Sequence, residues 1–479
     1  MNISTASSTN DLYYAVRSIA VQPTSRRATF TNWGSAFRCR PLAVFEPETE
    51  EQCRIIIELA RREGKTVRAA AAGHSPSDLA CTSGFMIRTN KLDRLLEVDE
   101  SKGIVTVQGG MTLNALHAHL SRYNLALENV GSISEQSVAG VVATATHGSG
   151  VTFGSMSCQV ISLTLLLPDG SRVRCSRQED ESLFLSTLCG LGSTGFISTV
   201  QIACQPAFRL KEVAVNVPFE EYVSSFHKIA TSAEHVRCWW IAQRGLVRVS
   251  RCDRTSEPVA AAVSWFRGVF LAYHVVQLML FIARYWLIVN TWTACFASWI
   301  MKEKAVGIGE SYTIFNVDCR YPQYTTEWAL PFETAPACLY ELQKWIQSEY
   351  ADPHGLRPHF PFEIRFSEAD DIWLSPAYKR TTCWIGIAQY RPYGFVVPHR
   401  KLFSRYEAIV ARHGGRPHWA KEHPFRPNDL RGLYERFDDF LAVIHRIDPE
   451  GMFANEYVKR HLFNDRAAPP EVFKFRSPW

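Results

Sequence analysis

The chain has 479 residues, a formal net charge of +5, and 46% hydrophobic against 21% charged residues. That balance excludes a disordered polymer and predicts two or three domains with a large buried core. The basic residues form no block of the kind that tracks a phosphate backbone, so nucleic acid is not an expected partner.

In chain order, "LAVFEP" reads as a strand and "TEEQCRIIIELARREG" as a helix, with Thr49 as N-cap and Gly64 as its stop. "VRAAAAG" and "FMIRT" read as strands. A hairpin turns at "DESKG", the helix "TLNALHAHLSRYN" follows, a second hairpin turns at "PDG", and "FISTVQIACQP" closes the first half as a strand. The pattern is α+β, without internal repeats. "GLGSTG", Gly190 to Gly195, satisfies G-x-G-x-x-G but follows a helical segment and precedes a strand. A dinucleotide loop needs the reverse order, so this is a helix-to-strand connection. The thirteen cysteines include no C-x-x-C pair, and "MNISTASSTNDLYYAV" lacks the layout of a secretory signal. Reduced, mostly buried thiols in an intracellular protein are expected.

Two segments are made almost wholly of small residues: "AAAAGHSPSD" at 69–78 and "GSISEQSVAGVVATATHGSG" at 131–150. After the strand "TVRAA", the residues Ala71, Ala72 and Gly73 let backbone N–H groups approach a ligand closely. Either the two segments hold one extended ligand between them, or both are close-packed turns. In "PFEIRF" the alternation of a strand puts Phe362, Ile364 and Phe366 on one face and Glu363 with Arg365 on the other. That pair is either an ordinary ion pair or a reactive one. "GGRPHWAK", Gly414 to Lys421, groups His418, Trp419 and Lys421, as packing or as chemistry.

Residues 268–283 carry no Asp, Glu, Lys or Arg, and beyond Arg284 the apolar aromatic character resumes to residue 300. A spanning helix needs roughly 20 apolar residues. This run is shorter and includes His274 and Gln277, so a re-entrant, interfacial or protein-buried helix pair is expected. His74, His147, His418 and His423 have neither H-x-x-x-H spacing nor a carboxylate at ligand intervals, so no metal is expected.

"GHSPSD", "ENVGSISEQSVAGVVATATHGSG", "EIRF" and "GGRPHWAK", in that order, resemble the sugar-1,4-lactone oxidases of the vanillyl-alcohol-oxidase-type FAD-binding family. The likeness is to the fungal D-arabinono-1,4-lactone oxidases in particular, extends to the L-gulonolactone oxidases, and runs from about Phe30 to Phe463. It implies an α+β FAD-binding domain over 1–207. A substrate domain over 208–479 follows, built on an antiparallel sheet with flanking helices; 412–463 returns to the flavin, and 259–300 is an apolar helical segment at a membrane. By the resemblance His74 is joined covalently to the flavin, and Ala71, Ala72, Gly73, Ser75 and Pro76 form the pyrophosphate loop. Ser132, Ser137, Gly140, Thr144, Ala145, Thr146 and His147 form the second FAD segment, Ile197 gives a main-chain contact, and His418 meets the isoalloxazine. Glu363, Arg365, Lys421 and Ser132 are the implied catalytic groups. Gly131 stands where oxidases of the family have Gly and dehydrogenases have Ala.

The implied reaction oxidises an aldono-1,4-lactone at C2, on the way to an ascorbate-type product, with dioxygen reduced to hydrogen peroxide. A flavoprotein oxidase of alditols or other carbohydrates is the alternative. The implied location is an intracellular, mitochondrial membrane.

Overall fold

The computed structural model describes residues 8–260, 266–301, 303–316, 321–359, 361–464 and 472–475; the start of the apolar segment, 261–265, lies outside the described residues. Three sheets organise the fold. A parallel sheet has β3 (Phe85–Arg88) between β1 (Ala43–Phe45) and β2 (Val67–Ala70). An antiparallel sheet follows in the order β7-β6-β8-β5-β4, from β4 (Leu95–Asp99), β5 (Ile104–Gln108), β6 (Val160–Leu166), β7 (Arg172–Ser176) and β8 (Phe196–Ala203).

The helix Glu50–Arg62 forms as expected. The Thr49 hydroxyl accepts from Gln52 N, acidic residues fill the first turn, basic residues fill the last, and Gly64 takes a φ of +60° just beyond the end. Both hairpins and the reversed order around "GLGSTG" are present: helix Glu181–Thr187 precedes the turn and β8 follows it. All twelve described cysteines are free, and most are buried.

The third sheet is antiparallel, with β9 (Arg209–Pro218), β10 (His235–Ile241), β11 (Leu246–Thr255), β12 (Lys304–Glu310), β13 (Gln323–Pro331), β14 (Phe362–Ser367), β15 (Thr382–Tyr390) and β16 (Arg416–Pro417) in the order β12-β9-β11-β10-β14-β15-β13-β16. One face packs Trp240, Trp328, Phe362, Ile364 and Phe366 against Leu339 and Tyr406 of the helices Ala335–Ala351 and Arg400–Arg412. The opposite face carries the charged residues described below. After β16 the chain returns to the first half: the Ser77 hydroxyl donates to Ala420 O (2.9 Å), Arg460 pairs with Asp78 (2.6 Å), and Val67 N donates to Met452 O (2.8 Å).

The described part of the apolar segment forms a helix that is π-helical over Phe266–Val275 and α-helical over Val276–Ile282, followed by a second helix, Ile288–Ile300. Their inner side packs Ala294 on Ile241 and Val276 with Leu280 on Tyr321. Their outer side exposes Tyr285, Trp286, Leu287, Ile288, Trp292 and Trp299. Among the described residues no helix is long and apolar enough to cross a membrane.

Candidate active site

Two features carry most of the candidate residues. The first is a cleft between the two small-residue segments, lined by Ala71, Ala72, Gly73, His74 and Ser75 on one side and by Ser137, Gly140 and Thr144 on the other, with Ile197 at its wall. Pro76, Ala145, Thr146 and His147 are not among its lining residues, and Ser132 faces the second feature instead. Gly73 takes a φ of +71°, and a side chain there would strike the Phe30 ring at 2.9 Å, so the loop requires glycine. Gly192 and Gly195 also line the cleft, so this helix-to-strand connection borders the ligand space.

The cleft's own chemistry fits an anionic dinucleotide. Arg68, pointing in from β2, is fully buried, and its Nε and Nη1 have no hydrogen-bond partner among the described residues; burial lowers its guanidinium to about 10. His74 stacks on Trp33 with centroids 5.7 Å apart, and its buried Nδ1 likewise has no partner. Burial holds His74 below the ordinary imidazole range, against the pull of Glu135, which leaves the ring neutral and its nitrogen lone pair free to bond. Two unpaired guanidinium nitrogens and an unpaired imidazole nitrogen are what a phosphate-bearing ring system would complete.

The second feature is a chamber of about 470 Å³, of the size that takes a small ligand. Ile241, Val276, Ala297, Ile300 and Met301 make its apolar wall, so the inner side of the helical pair closes the chamber. At its polar end the strand alternation works as expected: Glu363 and Arg365 share a face of β14, with Arg365 Nη2 donating to Glu363 Oε2 at 3.1 Å. Arg365 Nη1 donates to the Ser132 hydroxyl (3.2 Å) and to His147 O (3.3 Å), which fixes the guanidinium against the second small-residue segment.

The centre of this network is a residue that no motif indicated. Glu327 lies on β13, two strands from Glu363 and directly across from Gly386 of β15, which in turn pairs with Glu363. Because Gly386 adds no side chain to that row, Arg365 reaches both carboxylates, with Nη2 3.4 Å from Glu327 Oε1. Lys421 Nζ lies 3.4 Å from Glu327 Oε2, and His147 Nε2 lies 3.2 Å from Oε1. Burial alone would push the Glu327 carboxyl up, but Lys421, His147 and Arg365 together hold it well below the usual carboxylate range. His147 Nδ1 lies 3.0 Å from the Gly148 carbonyl, and burial together with the Arg365 charge holds the imidazole below its ordinary range, against the pull of Glu327. Trp384 stacks on His147 with centroids 3.8 Å apart at 10°.

The "GGRPHWAK" turn is locked in place. His418 N donates to Glu327 O, Trp419 Nε1 donates to Leu374 O (2.6 Å), and the Tyr457 hydroxyl donates to Trp419 O (2.8 Å). His418 is buried beside His147 and Trp384, and burial with the Lys421 charge holds it well below the ordinary imidazole range. The carboxylate missing at ligand intervals is supplied by the fold, since His147, Glu327 and His418 lie close enough together to ligate an ion. Arg365 and Lys421 already contact that carboxylate, and two fixed positive charges beside it oppose a divalent cation. Glu327 stayed hidden in "TTEWALP" because a single Glu in an alternating strand carries the signature of a solvated face. Arg68 was hidden in "TVRAA" for the same reason.

A cleft of small residues and a charged chamber on an antiparallel sheet together define an FAD-dependent oxidoreductase of the vanillyl-alcohol oxidase fold. The cholesterol oxidase of Brevibacterium sterolicum superimposes with a TM-score of 0.77 over 93% of this chain and 99% of its own, at 15% identity. Residues 41–176 match an FAD-binding domain, and residues 200–461 match the D-arabinono-1,4-lactone oxidase family. The chain belongs to that family. It is 36% identical to L-gulonolactone oxidase of Scyliorhinus torazame, over 91% of this chain and 98% of that protein. It is 32% identical to L-gulono-1,4-lactone dehydrogenase of Mycobacterium tuberculosis (90% and 99% covered), and 30% identical to D-arabinono-1,4-lactone oxidase of Eremothecium gossypii (83% and 84% covered).

Proposed function

We propose that the protein oxidises an aldono-1,4-lactone at C2 and reduces dioxygen to hydrogen peroxide, with D-arabinono-1,4-lactone as the first substrate to test. The observation that carries this reading is a chamber in which Arg365, Glu363, Lys421 and Glu327 are gathered into one charged group. When bound, FAD supplies the acceptor for the hydride from C2 and passes the electrons to dioxygen. Arg365 offers fixed donors to the lactone's carbonyl or hydroxyl oxygens, and Glu363 orients that guanidinium and accepts from sugar hydroxyls. The Lys421 ammonium stabilises the negative charge that gathers on the C2 oxygen as its proton leaves. Glu327 holds Lys421 and Arg365 toward one point, and the apolar wall excludes water. His74 is the proposed covalent anchor, through a nitrogen that is otherwise unpartnered.

The test is anaerobic bleaching and aerobic peroxide release with D-arabinono-, L-galactono- and L-gulono-1,4-lactones and a set of alditols. Bleaching by lactones supports the reading, bleaching by alditols alone transfers the chamber to the alternative, and no bleaching by either rejects it. Flavin that stays with acid-precipitated protein, and is released by His74→Ala, supports the covalent link.

We further propose that the helical pair seats the protein on the surface of an intracellular membrane. The exposed Trp286, Trp292 and Trp299 support this, because indole rings favour the headgroup boundary and a soluble surface gains nothing by showing them. Co-sedimentation with vesicles tests it, and membrane fractionation identifies the organelle.

A further inference from the structure

Beside the exposed tip of the helical pair lies another cavity, of about 970 Å³, which shares no lining residue with the lactone chamber. Its wall carries Arg284, Arg357, Arg400 and Lys401. Among its described lining residues the single carboxylate is Glu422, and Lys474 Nζ already contacts it at 2.5 Å. Among the described residues none of the four cations has a carboxylate within ion-pair distance. The Arg284 guanidinium lies 4.6 Å over the Phe395 ring, and its buried Nη1 has no hydrogen-bond partner among the described residues. Arg357 donates only to backbone carbonyls of Glu349, Asp352 and Leu356. Cations gathered in this way repel one another unless an anion joins them.

The rim of this cavity identifies the anion. Leu287 and Val396 line it and are also exposed apolar residues, and Leu287 is flanked in sequence by the exposed Trp286 and Ile288. A ligand that completes both halves has a negatively charged, oxygen-rich head and a hydrocarbon body.

We propose that the cavity binds the headgroup of an anionic phospholipid while Trp286, Leu287 and Ile288 enter the bilayer surface. The proposal rests on the membrane seating inferred above and adds its chemical selectivity. Arg400 and Lys401 attract the leaflet charge, and Arg284 offers a buried donor to a phosphate oxygen.

The experiment is flotation of the full-length holoenzyme with vesicles of phosphatidylcholine alone or of phosphatidylcholine with phosphatidylserine. Binding to the phosphatidylserine vesicles is expected to be roughly tenfold or more tighter, as a few basic residues at a charged leaflet provide. The double variant Arg400→Gln with Lys401→Gln is expected to lose that preference while lactone turnover without lipid is unchanged. Lys102→Gln with Arg122→Gln, an equal change of charge in the FAD-binding half, is expected to keep it. Trp286→Ser with Ile288→Ser is expected to lose binding to both vesicles. Equal binding of the unaltered protein to both vesicles overturns the headgroup proposal and leaves the membrane seating standing, whereas binding to neither overturns both. A preference that survives the Arg400 and Lys401 substitutions, or that falls equally in the control pair, removes this cavity from the account. Protection of the cavity by inorganic phosphate with no vesicle preference assigns it to free phosphate and overturns the lipid.

Discussion

The cleft and the chamber bind by opposite means. Among the described residues lining the cleft Arg68 is the single permanently charged one, and more than half of the others are Ala, Gly or Ser, which leave the backbone open to a ligand. The chamber gathers Arg248, Glu327, Glu363, Arg365 and Lys421 from separate stretches of chain, and most of its specificity lies in side chains. A backbone site is encoded locally, because it needs only small residues in a row. A side-chain site is encoded by register, and register is set by the sheet.

The substitution expected to have the largest effect breaks the chamber and spares the cleft. Glu327→Gln removes one negative charge from among Arg365, Lys421 and His147, at nearly constant volume. Lactone turnover is expected to fall by at least ~100-fold, as it does when a preorganised charge at a reacting centre is lost. Breaking a buried ion pair on one side costs about 3 to 5 kcal/mol, so the melting temperature falls as well. Flavin content, read from the visible spectrum, is expected to stay at one per chain. Loss of flavin would mean that the two regions are not separable.

The converse substitution is Arg68→Met, made in a His74→Ala background so that flavin retention reports affinity. Loss of a charge-assisted hydrogen bond of about 1.5 to 3 kcal/mol predicts roughly 10- to 100-fold weaker FAD binding in a fluorescence titration. Equal affinity in the two backgrounds would mean that Arg68 does not meet the cofactor.

This contrast also explains what was legible. Helix ends, hairpins and the small-residue segments follow from local rules, and the structure has them: Thr49 caps, Gly64 stops, and "DESKG" and "PDG" turn. The Glu363–Arg365 pair was legible because it spans two residues of one strand. Glu327 was not, since its meaning comes from Gly386 and Arg365 on neighbouring strands, and strand order is not written in any window of sequence. The helical pair was legible as apolar. That its inner side closes the chamber was not, because both sides of such a helix are hydrophobic and only packing tells them apart.

Gly131 sharpens the comparison at the seam between the two regions. Its backbone φ is not in the left-handed region, so alanine is conformationally acceptable there, and an added methyl would meet Thr146 Cγ2 at 3.0 Å and His147 O at 3.5 Å. Gly131→Ala is expected to slow reoxidation by dioxygen several-fold while turnover with an artificial dye changes little. An unchanged ratio of the two rates would count against an oxygen route past this residue.

The smallest expected effect lies on the other face of the strand that carries Glu327. Thr326 points to the opposite side of β13, where its hydroxyl donates to Glu407 Oε1 at 3.0 Å. Burial pushes the Glu407 carboxyl up to about 8, with Glu422 adding to the rise and the Thr326 hydrogen bond opposing it. Neighbours in sequence thus give two acids opposite fates: cations keep Glu327 ionised, and burial keeps Glu407 protonated. A carboxyl whose folded pKa is raised binds its proton more tightly in the native state. Its contribution to stability is therefore complete below about 4.5, declines as pH rises from there, and is gone once pH passes about 8. Because Glu407 is mostly but not fully buried, contact with solvent reduces the effect to roughly 1 to 2 kcal/mol. The melting temperature is expected to drop by about 2 °C between mildly acidic and mildly alkaline buffer for this reason alone. Glu407→Gln, which cannot ionise, should remove that part of the slope, matching the parent at low pH and exceeding it at high pH. Identical slopes in the two proteins would mean that Glu407 is ionised in the native state and that the contrast along β13 does not hold.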